Sequence, residues 1–141
     1  MFDYKFIPQL RPNIKWNHER GSCIMLDYLI QDNNLQPELD EYEITDQDIE
    51  FIKEMIAGPI YSTNANDVWR YKGRDQSKSF LYEIVSNERN KVDVDKWDYF
   101  ARDCHHLGMK NGFDHNRFMH NMRVLTVEGQ SPQICARDKV C

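Results

Sequence analysis

From Val92 to Leu107 the chain carries neither glycine nor proline, and at about 100° per residue its apolar and charged residues separate onto two faces. Val94, Trp97, Ala101 and Cys104 share one stripe, bordered by Phe100 and Leu107, while Asp95, Tyr99, Asp103 and His106 stack almost opposite with Lys96 at their edge. This period defines an amphipathic helix closed by Gly108. Its polar face has two uses. It can meet water, with ion pairs worth a few tenths of a kcal/mol each. Alternatively it lines a cleft in which a carboxylate holds a divalent cation, a lysine meets phosphate oxygens and an aromatic covers a sugar or base. Periodicity alone does not choose between them.

The rest of the chain reads as further helices broken by a connector, a polar loop and a hairpin. "IPQLRPNIKW" holds two prolines and predicts an extended connector. "NHERGSCIMLDYLIQDNN" predicts a helix with Ile24, Leu26, Tyr28, Leu29 and Ile30 largely on one side, ended by Asn33-Asn34. "TDQDIEFIKEMIAGP" has Thr45 or Asp46 as N-cap, acidic residues where the helix dipole favours them, and Gly58-Pro59 as its stop. A polar loop from Tyr61 to Ser77 contains aromatics that can pin it to the body, and "KSFLYEIVS" predicts a short buried helix. Near the end, "RVLTV" and "QICAR" flank "EGQSP" as a hairpin. The expected class is mainly α with a small β-hairpin near the C-terminus.

The 141 residues have the length of one domain, and 40% hydrophobic with 12% aromatic residues is a globular composition. A formal charge of −5 leaves no basic footprint for duplex nucleic acid. Four cysteines without CxxC spacing suit reduced thiols better than a disulfide framework. The longest apolar run, "CIMLDYLI", is broken by Asp27, so no membrane span is expected and the chain reads as soluble and intracellular.

Among single residues, His18 in "WNHERG" stands at a helix start, where a histidine is most often a solvated or capping group. A catalytic role would need an orienting carboxylate to fix its tautomer, and Asp3 is the candidate. His105 and His106 point about 100° apart on a helix and do not share one ion. Arg117, Arg137 and Lys139 are either solvated or a phosphate clamp.

"KSFLYEIVSN" followed by "VDVDKWDYFARDCHHLG" resembles the vertebrate sterile-alpha-motif and HD-domain-containing deoxynucleoside triphosphate triphosphohydrolases. "FIPQLRPNIKWNHERGS", "FIKEMIAGPI", "WRYKGR" and "ICARDK" resemble further blocks of that family in the same order. The resemblance implies a piece of a helical HD domain spanning residues 1–141, and hydrolysis of dNTPs to deoxynucleoside and triphosphate. It implies His18 and Asp3 as a catalytic pair, Asp95 as a metal ligand, and Lys96, Tyr99 and Asp103 as substrate contacts. Asp114, Arg117, Arg137 and Lys139 resemble residues of an activating nucleotide site. The family further implies a divalent metal (Zn, Fe, Mn or Mg), dNTP substrate, GTP or dNTP activators, a homo-tetramer, single-stranded nucleic acid as a ligand, and residence in the nucleus.

The family's metal site uses an upstream histidine, an adjacent His-Asp pair and a final aspartate; by resemblance only the last, Asp95, falls in this sequence. The resemblance places Met1 after the His-Asp pair and leaves out the sterile-alpha-motif domain and the C-terminal lobe. The expectation is an inactive isolated chain with apolar stripes left open; the alternative is a short non-catalytic paralogue that binds nucleotide or joins full-length subunits.

Overall fold

The computed structural model describes residues 2–59 and 69–137. A π-helical turn (Phe2–Phe6) leads into α1 (Ile7–Leu10), followed by α2 (His18–Asp32), α3 (Gln36–Glu41) and α4 (Asp46–Ala57). A 3₁₀ segment (Gln76–Glu83), α5 (Val94–His106) and α6 (His115–Asn121) precede two antiparallel strands, β1 (Met122–Leu125) and β2 (Gln133–Ala136), with Val124 opposite Ile134. The fold is mainly α with one small hairpin, as the periodicity predicts.

Side-chain caps fix where the long helices begin. Asn17 accepts the Arg20 amide at 3.0 Å to start α2. Asp48 takes both the amide (2.8 Å) and the hydroxyl (2.6 Å) of Thr45 at the start of α4. Asp93 accepts the Lys96 amide at 3.0 Å to start α5. Asn34 turns left-handed (φ 49°) beyond α2, and Gly58 (φ 75°) ends α4.

Three elements differ from the sequence expectation. Part of the predicted extended connector is helical, because Pro8 sits in the first turn of α1, where a missing amide costs nothing. Pro37 does the same in α3, a helix that periodicity did not announce. The segment before the turn at residues 84–93 is 3₁₀ with a kink at Lys78, and within it only Tyr82 is buried.

The densest packing is polar at its centre. Glu54 of α4 is 2% exposed and accepts the amides of Lys72 (2.7 Å) and Gly73 (2.9 Å) together with the Tyr82 hydroxyl (2.7 Å). Tyr71 stacks on Tyr82 at 3.9 Å, and Trp69 and Phe51 meet the same ring edge-on. The described end of the polar loop is thus pinned by its aromatics. Burial and the neighbouring Glu54 charge raise the Tyr82 hydroxyl well above the ordinary phenol value.

The accessible surface is 11327 Å², against about 7,700 Å² for a compact monomer of this size. Much of the difference is apolar. Ile24, Met25, Tyr28 and Leu29 of α2 are each about half exposed or more. On α5, Trp97 and Cys104 are half-buried, but Val94, Phe100, Ala101 and Leu107 are exposed. The apolar stripe of α5 is thus covered where Phe113 and Phe118 reach Trp97 and open at Val94 and Leu107. The described cysteines, 23, 104 and 135, are free thiols. No helix among the described residues is long and apolar enough to cross a membrane.

Candidate active site

The first turn of α2 is clasped by a residue from the chain's beginning. Asp3 Oδ2 accepts the His18 amide at 3.0 Å and faces His18 Nδ1 at 2.6 Å. One carboxylate oxygen thereby fills an open helix-end amide and orients the imidazole at once. Gly21 makes room for the connector, because a Cβ there would stand 2.7 Å from the ring of Trp16. The Asp3 side chain is 10% exposed and that of His18 is 67% exposed, so the orienter is sheltered and the working ring open.

The charges follow from this geometry. The hydrogen bond from His18 holds Asp3 below the usual carboxylate range. The hydrogen bond to Asp3 raises His18 above its ordinary 6.5, against partial desolvation, with smaller contributions from the charges of Glu19, Asp3 and Asp95. Glu19 Oε1 lies 3.4 Å from His18 Nε2. Sequence reasoning passed over Glu19; its place directly after His18 was the available signal.

Ligand atoms of Asp3, His18 and Glu19 lie within 4.8 Å of one another, a spacing that could hold an ion. The donor chemistry argues for a different occupant. Both imidazole nitrogens face a carboxylate, which favours the doubly protonated ring, and an imidazolium has no lone pair to give a metal. Asp95 offers an exposed carboxylate, but one carboxylate does not make a metal site. The described residues do not supply a full ligand set around Asp95.

The other predicted residues fall into two groups. Lys96, Tyr99 and Asp103 follow Asp95 along α5; Lys96 and Tyr99 are half-buried and Asp103 is exposed. Lys96 Nζ donates to the Lys91 carbonyl at 2.6 Å, and the Tyr99 ring meets Phe100 edge-on at 4.7 Å. Asp114, Arg117 and Arg137 gather around α6. Asp114 caps it through the Arg117 amide (2.9 Å), Asn121 Nδ2 donates to the Arg117 carbonyl (2.7 Å), and the Arg137 amide donates to the Asn121 carbonyl (3.0 Å). Lys139 lies outside the described residues.

A histidine held by a sheltered carboxylate and open to solvent is suited to acid-base chemistry. In sequence the chain is similar to one segment of several deoxynucleoside triphosphate triphosphohydrolases. It is 56% identical over 140 residues to human deoxynucleoside triphosphate triphosphohydrolase SAMHD1, covering 99% of this chain and 22% of the human protein. The zebrafish (Danio rerio) protein of the same name is 51% identical over 141 residues, and the Dictyostelium discoideum homolog 35% over 134. The chain spans about a fifth of the length of these relatives. No family model matches it.

Proposed function

We propose that the chain forms one wall of the active site of a metal-dependent dNTP triphosphohydrolase, and that by itself it is inactive. The observation that carries this reading is the Asp3–His18 clasp, in which a sheltered carboxylate orients an open imidazole. Asp3 orients the ring so that Nε2, beside Glu19, is the working atom, and the two carboxylates favour its protonated form. His18 then gives its Nε2 proton to the departing 5′-oxygen of the nucleoside. Lys96 leaves the Lys91 carbonyl to meet phosphate oxygens. Tyr99 packs on the deoxyribose, where a 2′-hydroxyl would not fit, and Asp103 accepts from the 3′-hydroxyl. Asp95 would supply one carboxylate to a divalent cation, which when bound would activate water and offset phosphate charge.

In the same reading Asp114, Arg117, Arg137 and Lys139 form a site for an activating nucleotide, the forked guanidinium groups binding phosphate oxygens in pairs. Assembly of the whole protein into a tetramer, and its residence in the nucleus, extend this proposal by family likeness.

The test is triphosphate release from dGTP with manganese and GTP added, using the isolated chain and a chimera in which it replaces the matching segment of the human relative. The isolated chain should show no turnover. The chimera should turn over, and His18→Ala in it should lose roughly a hundredfold or more. Turnover by the isolated chain at the rate of a complete relative refutes the inactivity, and an unaffected His18→Ala chimera refutes the site.

A further inference from the structure

The outer edge of β2 is held by a pair of side chains. Ile134 directs its amide to Glu83 Oε2 at 2.6 Å and its carbonyl to the guanidinium of Arg89. Arg89 in turn grips Glu83 through Nε (2.9 Å) and a terminal nitrogen (3.2 Å). The carboxylate and guanidinium fill the two places that a third strand would take on this edge. Two further bonds stitch the same surfaces, from Gln76 to Ser131 (2.7 Å) and from the Ser79 hydroxyl to the Pro132 carbonyl.

The segment between Glu83 and α5 is closed on itself. The Val94 amide donates to the Ile84 carbonyl at 3.0 Å, and the Asn87 amide to Asp93 Oδ2 at 2.9 Å. Asn87, 2% exposed, accepts the amides of Arg89 (3.0 Å) and Asn90 (3.1 Å). Asp93 then caps α5 through the Lys96 amide. An unbroken run of short bonds thus joins Ile134, in the hairpin that ends at Arg137, to the first turn of α5, which holds Asp95 and Lys96.

We infer that Glu83 and Arg89 are positioning residues that yoke β2 to the start of α5, so that an anion gathered around α6 and the hairpin sets the placement of Asp95 and Lys96. The inference rests on the proposed reading of those two ends, but the yoke itself is a property of the bonds. A charge-assisted, forked pair on a strand edge transmits displacement better than apolar contact, because its geometry is directional and its loss leaves two backbone groups unpaired.

Residue-resolved amide hydrogen exchange on the 141-residue chain tests it, with Glu83→Gln and Arg89→Lys compared with wild type. In both variants the Ile134, Val94 and Lys96 amides should exchange about tenfold faster or more, while the Gly58 amide at the end of α4 keeps its rate. Faster exchange at Ile134 with unchanged Val94 and Lys96 overturns the yoke. If Glu83→Gln accelerates Gly58 as well, Arg89→Lys, which keeps the charge and removes the fork, decides by the same criterion. Acceleration of every amide in both variants also overturns it, since the pair would then hold the whole fold. Inorganic triphosphate titrated into the wild type forms the second arm: amide shifts at Arg117 and Arg137 should be accompanied by shifts at Asp95 and Lys96, and Arg89→Lys should break that coupling. No shift at Arg117 or Arg137 sinks the anion reading, and the exchange arm still decides the yoke.

Discussion

Glu54 and Tyr82, both buried, share a 2.7 Å hydrogen bond, and the same carboxylate holds the backbone of Lys72 and Gly73. A buried carboxylate with three donors closes a loop onto a helix, and removing it strands those donors without water. Glu54→Ala should therefore destabilise by about 3 kcal/mol and Tyr82→Phe by about 1 kcal/mol, read from urea midpoints. Gly73→Ala should cost a similar amount to the larger change, roughly 2 kcal/mol, because a Cβ there runs into the Phe51 backbone. A Gly73→Ala chain as stable as wild type would show that the loop does not sit on α4.

Asp48 contributes to the acid limb of stability. Hydrogen bonds from Thr45 and Arg74 depress its carboxyl from 3.8 to about 2. A depressed carboxyl stabilises the fold above its unfolded value and loses that contribution as protons are added through its folded value. Stability should fall between about pH 4 and pH 2, and Asp48→Asn should flatten that part of an acid titration followed by circular dichroism. An unchanged acid limb in the variant would remove Asp48 from the account.

His18 and Asp3 move in opposite directions, and the signs combine into a window. The raised imidazole contributes stability that is fully present below 6.5 and disappears as pH rises through its folded value. The depressed Asp3 carboxyl contributes above 3.8 and loses that contribution as pH falls through its folded value. The clasp is therefore firmest between these limits. Proton NMR of the imidazole should show Asp3→Asn returning the His18 titration toward 6.5, with Glu19→Gln giving a smaller fall. If Asp3→Asn leaves the titration where it was, the clasp does not form in solution.

Asp93 serves two masters, the Lys96 amide at the start of α5 and the Asn87 amide in the preceding turn. Asp93→Ala should cost about 2 kcal/mol, at the upper end for a helix cap, because both amides lose their acceptor. Asp93→Asn should recover part of it. Thermal unfolding of the two variants separates these outcomes, and a loss below about 0.5 kcal/mol in Asp93→Ala would show that the turn is held without it.

The helices that position the candidate site were legible because their signals are local: Thr45 and Gly58 bracket α4, and four turns of alternating character define α5. The hairpin was legible for the same reason. What escaped were features set by contacts distant in sequence. Nothing near Glu54 announces that it faces Lys72 and Gly73, and nothing near Glu83 announces Ile134. The exposure of Val94 and Ala101 agrees with the expected open stripes, whereas the cover that Phe113 and Phe118 give Trp97 escaped, because periodicity shows which side of a helix is apolar and not which neighbour arrives to cover it. For the candidate site, Asp3 could be named as an orienter, but its reach to both the amide and the ring of His18 required coordinates. Glu19 could have been weighed from its adjacency to His18 alone.

Asp3 meets His18 across 15 positions of chain, whereas Glu83 meets Ile134 across 51. Closing the longer loop costs about 1 kcal/mol more in chain entropy, and the shorter contact is also next to a self-capping helix. Assembly should thus be staged. The acid-base pair comes together early from neighbouring segments, and the hairpin seats afterwards on a platform that is already formed, so the chemistry-bearing end of the chain is organised before the end that would govern it.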